Sequence, residues 1–194
     1  MLDIERRVDM QSKDRIIVAL DVDSPDRAID IVTKVQKLVG RFKVGLELIY
    51  AMLASILVVD EQVALSNTRR VRELFKLLGR QFFLDGKFKD IPNTIAAVAK
   101  IVGQSIKVGM FNVHATSTIT GMVSAVRNKG ESQVLAVTVL TSTEENEAFL
   151  EYGAPSRAKV LQYARDAKLA QCDGIICSPQ ELILLDNQPE LRVC

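Results

Sequence analysis

Asp85, Lys87 and Asp90 place three charges of alternating sign inside the string Leu84-Asp85-Gly86-Lys87-Phe88-Lys89-Asp90-Ile91-Pro92-Asn93-Thr94. In an extended strand, side chains two apart share a face, so Asp85 and Lys87 are expected to emerge together. Asp90 falls at the turn into a helix, where Pro92 brings the fixed φ that a first helical turn accepts. Charges gathered at the mouth of a buried strand cost desolvation that folding alone does not require. A second lysine, Lys43 in Arg41-Phe42-Lys43-Val44-Gly45-Leu46-Glu47, is expected on the neighbouring strand. The resulting Lys–Asp–Lys–Asp array keeps its carboxylates ionised and its lysines protonated. A substrate carboxylate set against Asp85 would meet like-charge repulsion, and a carbanion formed beside Lys87 would be stabilised and then protonated. Such chemistry suits decarboxylation without a cofactor. The ordinary alternative is a set of solvated surface pairs, each contributing under ~1 kcal/mol.

The elements that must position these residues alternate between short apolar strands and longer helices. Strands are predicted at Arg15–Asp21, Arg41–Glu47, Gln81–Gly86, Ser105–Val113, Gln133–Leu140 and Gly174–Cys177, with a seventh beginning at Leu191–Val193. Helices are predicted from Ser24 to about Gly40, with Ser24 as cap and Pro25 at the first position, then over Leu48–Leu57 and Asn67–Leu78. Further helices follow over Pro92–Val102, Ile119–Asn128, Glu144–Glu151, Pro155–Ala170 and Pro179–Leu185. The apolar run Leu48–Val59 reads as a buried helix. Near-continuous apolar strands separated by helices predict a parallel α/β sheet with covered faces. No Gly-x-Gly-x-x-Gly follows the first strand, which argues against an open dinucleotide-binding sheet. Polar residues gather instead at strand C-termini, namely Asp21, Lys43, Asp85, Lys87, Asn112, His114, Thr141 and Ser142, where barrels keep their sites. The expected fold is a (β/α)8 barrel, cut after about six βα units and the start of strand seven. Residues 1–13 are expected to be a polar leader, and residues 14–194 one barrel domain, incomplete at its C-terminus.

Bulk properties narrow the function class. With 25 Lys and Arg against 24 Asp and Glu, the net charge of +1 gives no attraction for nucleic acid or an anionic membrane. No window reaches the ~20 apolar residues of a membrane span, and Met1–Lys13 lacks an apolar signal segment. Cys172, Cys177 and Cys194 lack paired spacing, so no disulfide framework or zinc site is expected and a reducing cytoplasmic setting fits. Cys177 reads as a small core residue. His114, the single histidine, and Asn112 read as structural, hydrogen-bonded strand-end residues.

Asp85–Thr94 closely resembles the signature Asp-x-Lys-x-x-Asp-Ile-Pro-Asn-Thr of the orotidine 5′-phosphate decarboxylases. The resemblance extends to Ala19-Leu20-Asp21, Phe42–Glu47, Asn112-Val113-His114-Ala115, Ala136–Ser142 and Asp173–Ser178, in order over nearly all of residues 15–194. It implies a cofactor-free, metal-free lyase converting orotidine monophosphate (OMP) to uridine monophosphate (UMP) in pyrimidine biosynthesis. Lys87 would protonate C6, Asp85 would face the departing carboxylate, and Lys43 would order the array and touch the ribose. Asp21 would bind a ribose hydroxyl, and Thr141 and Ser142 would meet the pyrimidine. Asp90, with Ile91 and Thr94, would reach into a neighbouring subunit's site, making the active unit a homodimer.

The sequence departs from that pattern in places. Gly86 stands where a larger apolar residue is usual, Lys89 where His is frequent, and Ala54–Thr68 diverges. The Gly-Ile-Arg segment, the Gln-bearing loop and the Gly-Arg pair that grip phosphate in this family do not occur before Cys194. Two alternatives follow. One is a metal-dependent sugar-phosphate decarboxylase or aldolase of the same superfamily, although Lys43 occupies the position of an acidic residue there. The other is a non-catalytic remnant that dimerises or binds nucleotides weakly.

Overall fold

The computed structural model describes residues 11–185 and 192–193. The first ten residues of the expected leader, Leu191 of the expected seventh strand and Cys194 lie outside them. Contacts group the chain into two compact units, one ending at Gly86 and the other beginning at Lys87.

In the first unit, β1 (Ile17–Ala19), α1 (Pro25–Val35), β2 (Arg41–Val44), α2 (Leu46–Ile56), α3 (Glu61–Leu78) and the start of β3 (Phe82–Phe88) follow one another. The β1–β2 and β2–β3 pairings are parallel, with Ala19 opposite Lys43 and Val44 opposite Leu84. Along β2 the burial alternates: Phe42 and Val44 are wholly buried, while Arg41 and Lys43 are part-exposed on the other face. The cap of α1 forms as predicted, with Ser24 Oγ accepting the Arg27 N–H at 3.4 Å and Pro25 in the first turn.

Two predictions are corrected here. The third helix begins at Glu61 rather than Asn67, because the Asp60 side chain accepts the Val63 N–H at 3.0 Å and caps an earlier turn. The run Leu48–Val59 is not a buried helix. Leu48 and Met52 enter the core, but Leu46, Tyr50, Leu53 and Leu57 remain exposed, and Val59 is fully so. Only the stripe through Leu48 and Met52, four residues apart, faces the core, and the other apolar side chains of the run lie off that stripe.

In the second unit, β3 runs on through Lys87 to Phe88 and is followed by α4 (Pro92–Lys100). A π turn over Ile101–Ile106 then ends at Lys107, whose φ is 62°. The predicted fourth strand therefore starts late: Ser105 and Ile106 belong to that turn, and β4 is Met110–His114. Next come α5 (Thr118–Asn128), β5 (Gln133–Val137), α6 (Glu145–Tyr152), α7 (Ser156–Leu169), β6 (Gly174–Ile176), α8 (Leu182–Leu185) and β7 (Arg192–Val193). Strands β4 to β7 pair in sequence order, all parallel. Val134 to Val137 are buried at every position, as parallel strands covered on both faces require. Helices α4 and α5 approach closely at Gly121, where a Cβ would meet Ile95 Cδ1 at 3.2 Å.

Candidate active site

The first unit brings three of the sequence-predicted residues together at the C-terminal ends of consecutive parallel strands. Lys43 is the third residue of β2, opposite Ala19 of β1. The Leu20 N–H donates to the Lys43 carbonyl at 2.9 Å, which carries the ladder to the edge of Asp21. Lys43 Nζ donates to Asp21 Oδ1 at 3.0 Å and lies 3.4 Å from Asp85 Oδ2 on β3. The Asp85 side chain is 9% exposed and that of Asp21 59%, so one ammonium joins a buried carboxylate to a solvated one. Gly45 leaves room for this arrangement, since a Cβ there would stand 3.3 Å from Lys43 Nζ.

Burial alone would lower the Lys43 pKa. The hydrogen bond to Asp21 and the nearby charge of Asp85 outweigh it, and the net direction is upward from 10.5. Because the folded value is raised, the stability that Lys43 contributes is complete below 10.5 and lost only as pH rises through the folded pKa. Around neutrality Lys43 is a fixed cation. A divalent metal would have to displace this ammonium before it could use either carboxylate.

In the second unit, Lys87 follows Asp85 by two residues along β3, but the backbone between regular pleats is broken there. Its φ is 46°, in the left-handed region, so the simple two-residue alternation expected of the strand does not hold through Lys87. The Lys87 N–H donates to Asn112 Oδ1 on β4 at 2.7 Å. Asn112 is wholly buried. Sequence reasoning treated Asn112 as a hydrogen-bonded structural residue but gave no partner for it. The partner is 25 residues away, and no local pattern indicates such a link.

His114, at the end of β4, shares a 3.1 Å hydrogen bond between its Nδ1 and the Thr116 hydroxyl. Burial and then the positive charge of Lys89 push its pKa below 6.5, with Glu151 opposing and Lys87 adding. Asp90 is exposed and accepts the Ile91 N–H at 2.7 Å, which fixes the entry into α4. Ile91, 65% exposed, and exposed Thr94 stand beside it. Thr141 and Ser142 are exposed in the turn after β5, where the Thr143 N–H donates to the Leu140 carbonyl at 3.0 Å. Lys89 is exposed. Cys177 is buried, as expected.

Comparison with known proteins gives one consistent answer. A profile of the orotidine 5′-phosphate decarboxylase / HUMPS family matches residues 14–192. The orotidine 5′-phosphate decarboxylase of Heliobacterium modesticaldum is 38% identical over 184 residues, covering 89% of this chain and 69% of that protein. The one from Syntrophomonas wolfei is 36% identical over 185 residues, covering 89% of this chain and 71% of its own length. Among solved structures, the orotidine 5′-phosphate decarboxylase of Lactobacillus acidophilus matches with a TM-score of 0.69 and 27% identity, over 91% of this chain and 76% of that one. The Methanocaldococcus jannaschii enzyme, complexed with the inhibitor BMP, matches with a TM-score of 0.67 at 23% identity, over 92% and 75% of the two chains. The fold is the α/β barrel of these decarboxylases.

Proposed function

The chain belongs to the orotidine 5′-phosphate decarboxylase / HUMPS family, and from that premise we propose that it is a carbon–carbon lyase that decarboxylates orotidine 5′-phosphate to uridine monophosphate, a step of pyrimidine biosynthesis. The observation that carries this reading is the Asp21–Lys43–Asp85 arrangement at three successive strand ends, with Lys87 two residues further along the strand of Asp85. Within the family, this chain keeps a lysine on β2 that is already paired with two carboxylates. That favours the cofactor-free branch over a magnesium-dependent sugar-phosphate enzyme, whose cation needs those oxygens.

In the proposed reaction the C6–carboxylate bond breaks and its electron pair stays on C6 while carbon dioxide leaves. The Lys87 ammonium then gives its proton to C6, becomes a neutral amine and is reprotonated from water. Asp85, held as an anion beside Lys43, faces the substrate carboxylate and raises the energy of the ground state relative to the product-like transition state. Asp21 and Lys43 bind the ribose, and Thr141 and Ser142 meet the pyrimidine edge. Asp90, Ile91 and Thr94 project from the start of α4 as the contribution of each chain to a homodimeric partner's site. A cytoplasmic setting fits a pathway enzyme of this kind, and no helix among the described residues is long and apolar enough to cross a membrane.

The test is an absorbance assay following loss of orotidine 5′-phosphate by the chain and by Lys87→Ala. Turnover by the unaltered chain, with a loss of about 10²–10⁴ in the variant, is the expected result. No turnover by the unaltered chain overturns the reading, and undiminished turnover by Lys87→Ala overturns the role given to that lysine.

A further inference from the structure

The strain at Lys87 falls on a lysine although a glycine precedes it. Gly86 could adopt a positive φ at no steric cost, yet it is Lys87 whose φ is 46°. A side-chain-bearing residue stays in the left-handed region only where its surroundings over-determine it. One such determinant is the Asn112 carboxamide, which accepts the Lys87 N–H at 2.7 Å. Only the oxygen end of a carboxamide can accept from an N–H, so this bond also fixes which way Asn112 faces. Asn112 is wholly buried between Phe111 and Val113, with Leu135 opposite on β5. Packing there would be served by an apolar residue, and a buried amide is costly unless it is hydrogen-bonded.

We propose that Asn112 is a positioning residue for Lys87. By accepting the Lys87 amide it holds the left-handed backbone from which the ammonium is presented to the reacting carbon. The proposal rests on the reading of Lys87 as proton donor, and its test separates the two.

The experiment uses the full ¹⁵N-labelled chain with Asn112→Leu, which removes the acceptor, Asn112→Thr, whose shorter side chain draws its oxygen back from the Lys87 N–H, and Asn112→Asp, which keeps an acceptor in place. Amide hydrogen exchange at Lys87 is expected to accelerate about tenfold in the Leu and Thr variants, with Phe111 and Val113 little changed, and to stay protected in Asn112→Asp. In the decarboxylase assay kcat is expected to fall by roughly 10- to 100-fold in the Leu and Thr variants, with KM little altered, as for a reacting group slightly misplaced. Combined with Lys87→Ala, Asn112→Leu should cost nothing further, because its effect passes through the lysine.

Equal Lys87 exchange in the unaltered chain and the folded Leu or Thr variant overturns the proposal, whether or not the chain turns over. A loss in the Lys87→Ala background as large as in the unaltered one also overturns it, as does failure of both Leu and Thr variants to fold, since either makes the residue merely structural. Absence of turnover in the unaltered chain counts against the proposed reaction alone, and the exchange measurement still decides the positioning.

Discussion

At His114 a half-buried imidazole lies in the field of two lysines, Lys89 and Lys87, with Glu151 as the opposing charge. Burial is the largest cause of its lowered pKa, so the neutral ring is the native form near neutrality. The unfolded chain binds a proton at about 6.5 and the folded chain only at lower pH, so stability is complete above that value. It is lost as pH falls from 6.5 through the depressed folded pKa. Urea midpoints measured between pH 5 and pH 8 should therefore decline on the acid side, and His114→Gln should flatten that decline. Parallel profiles for the two chains would show that His114 is not the group responsible. The charges at Asp85, Lys87 and Asp90 and the strand-end lysine Lys43 were legible in the sequence because each belongs to a short, ordered motif. The Lys87–Asn112 bond was not, since it joins two strands through a backbone N–H that carries no sequence label.

The entry to α5 holds a second strained residue. Thr118 has φ 70° and ψ 162°, a combination that is essentially the preserve of glycine. Thr118→Gly should relieve ~1–3 kcal/mol of strain against ~0.5–1 kcal/mol of added freedom in the unfolded chain. The expected outcome is a net gain of about 1 kcal/mol, seen as a higher denaturation midpoint; an unchanged or lowered midpoint would contradict it. The long 3.4 Å contact from the Gly121 N–H to the Thr118 hydroxyl is the only bond described that the change removes. Element by element, the sequence was most readable where a side chain marks a boundary, as Ser24 and Pro25 do for α1. It failed where the boundary is set by packing or by backbone geometry. The π turn over Ile101–Ile106 was read as the end of a helix at Val102 and the start of a strand at Ser105, and the helix now seen to begin at Glu61 was started six residues late because Asp60 was not recognised as its cap. Strand periodicity carries a repeat of two and nothing about φ, so the break at Lys87 could not be read from it.

For the molecule as a whole, the alternation of apolar strands and helices sufficed to fix the class, and several motifs in one order fixed the family. Asp90, Ile91 and Thr94 are all exposed at the start of α4, and the proposed homodimer would cover them. Sedimentation velocity should give twice the chain mass for the unaltered protein, and Ile91→Glu should shift it toward the monomer by placing a charge in the contact. A monomer at every concentration would remove the homodimer from the proposal. The order of strand pairing has one more consequence, for biosynthesis. In the first unit β1 pairs with β2 and β2 with β3, and in the second β4 through β7 follow the same rule. Within each unit a later strand thus pairs with the one made just before it, a few tens of residues earlier, as Arg41 does with Ile17. A ribosome adding ~5–20 residues each second would deliver each new strand to its partner within seconds. The pairings described within each unit can therefore form in the order in which their strands are synthesised.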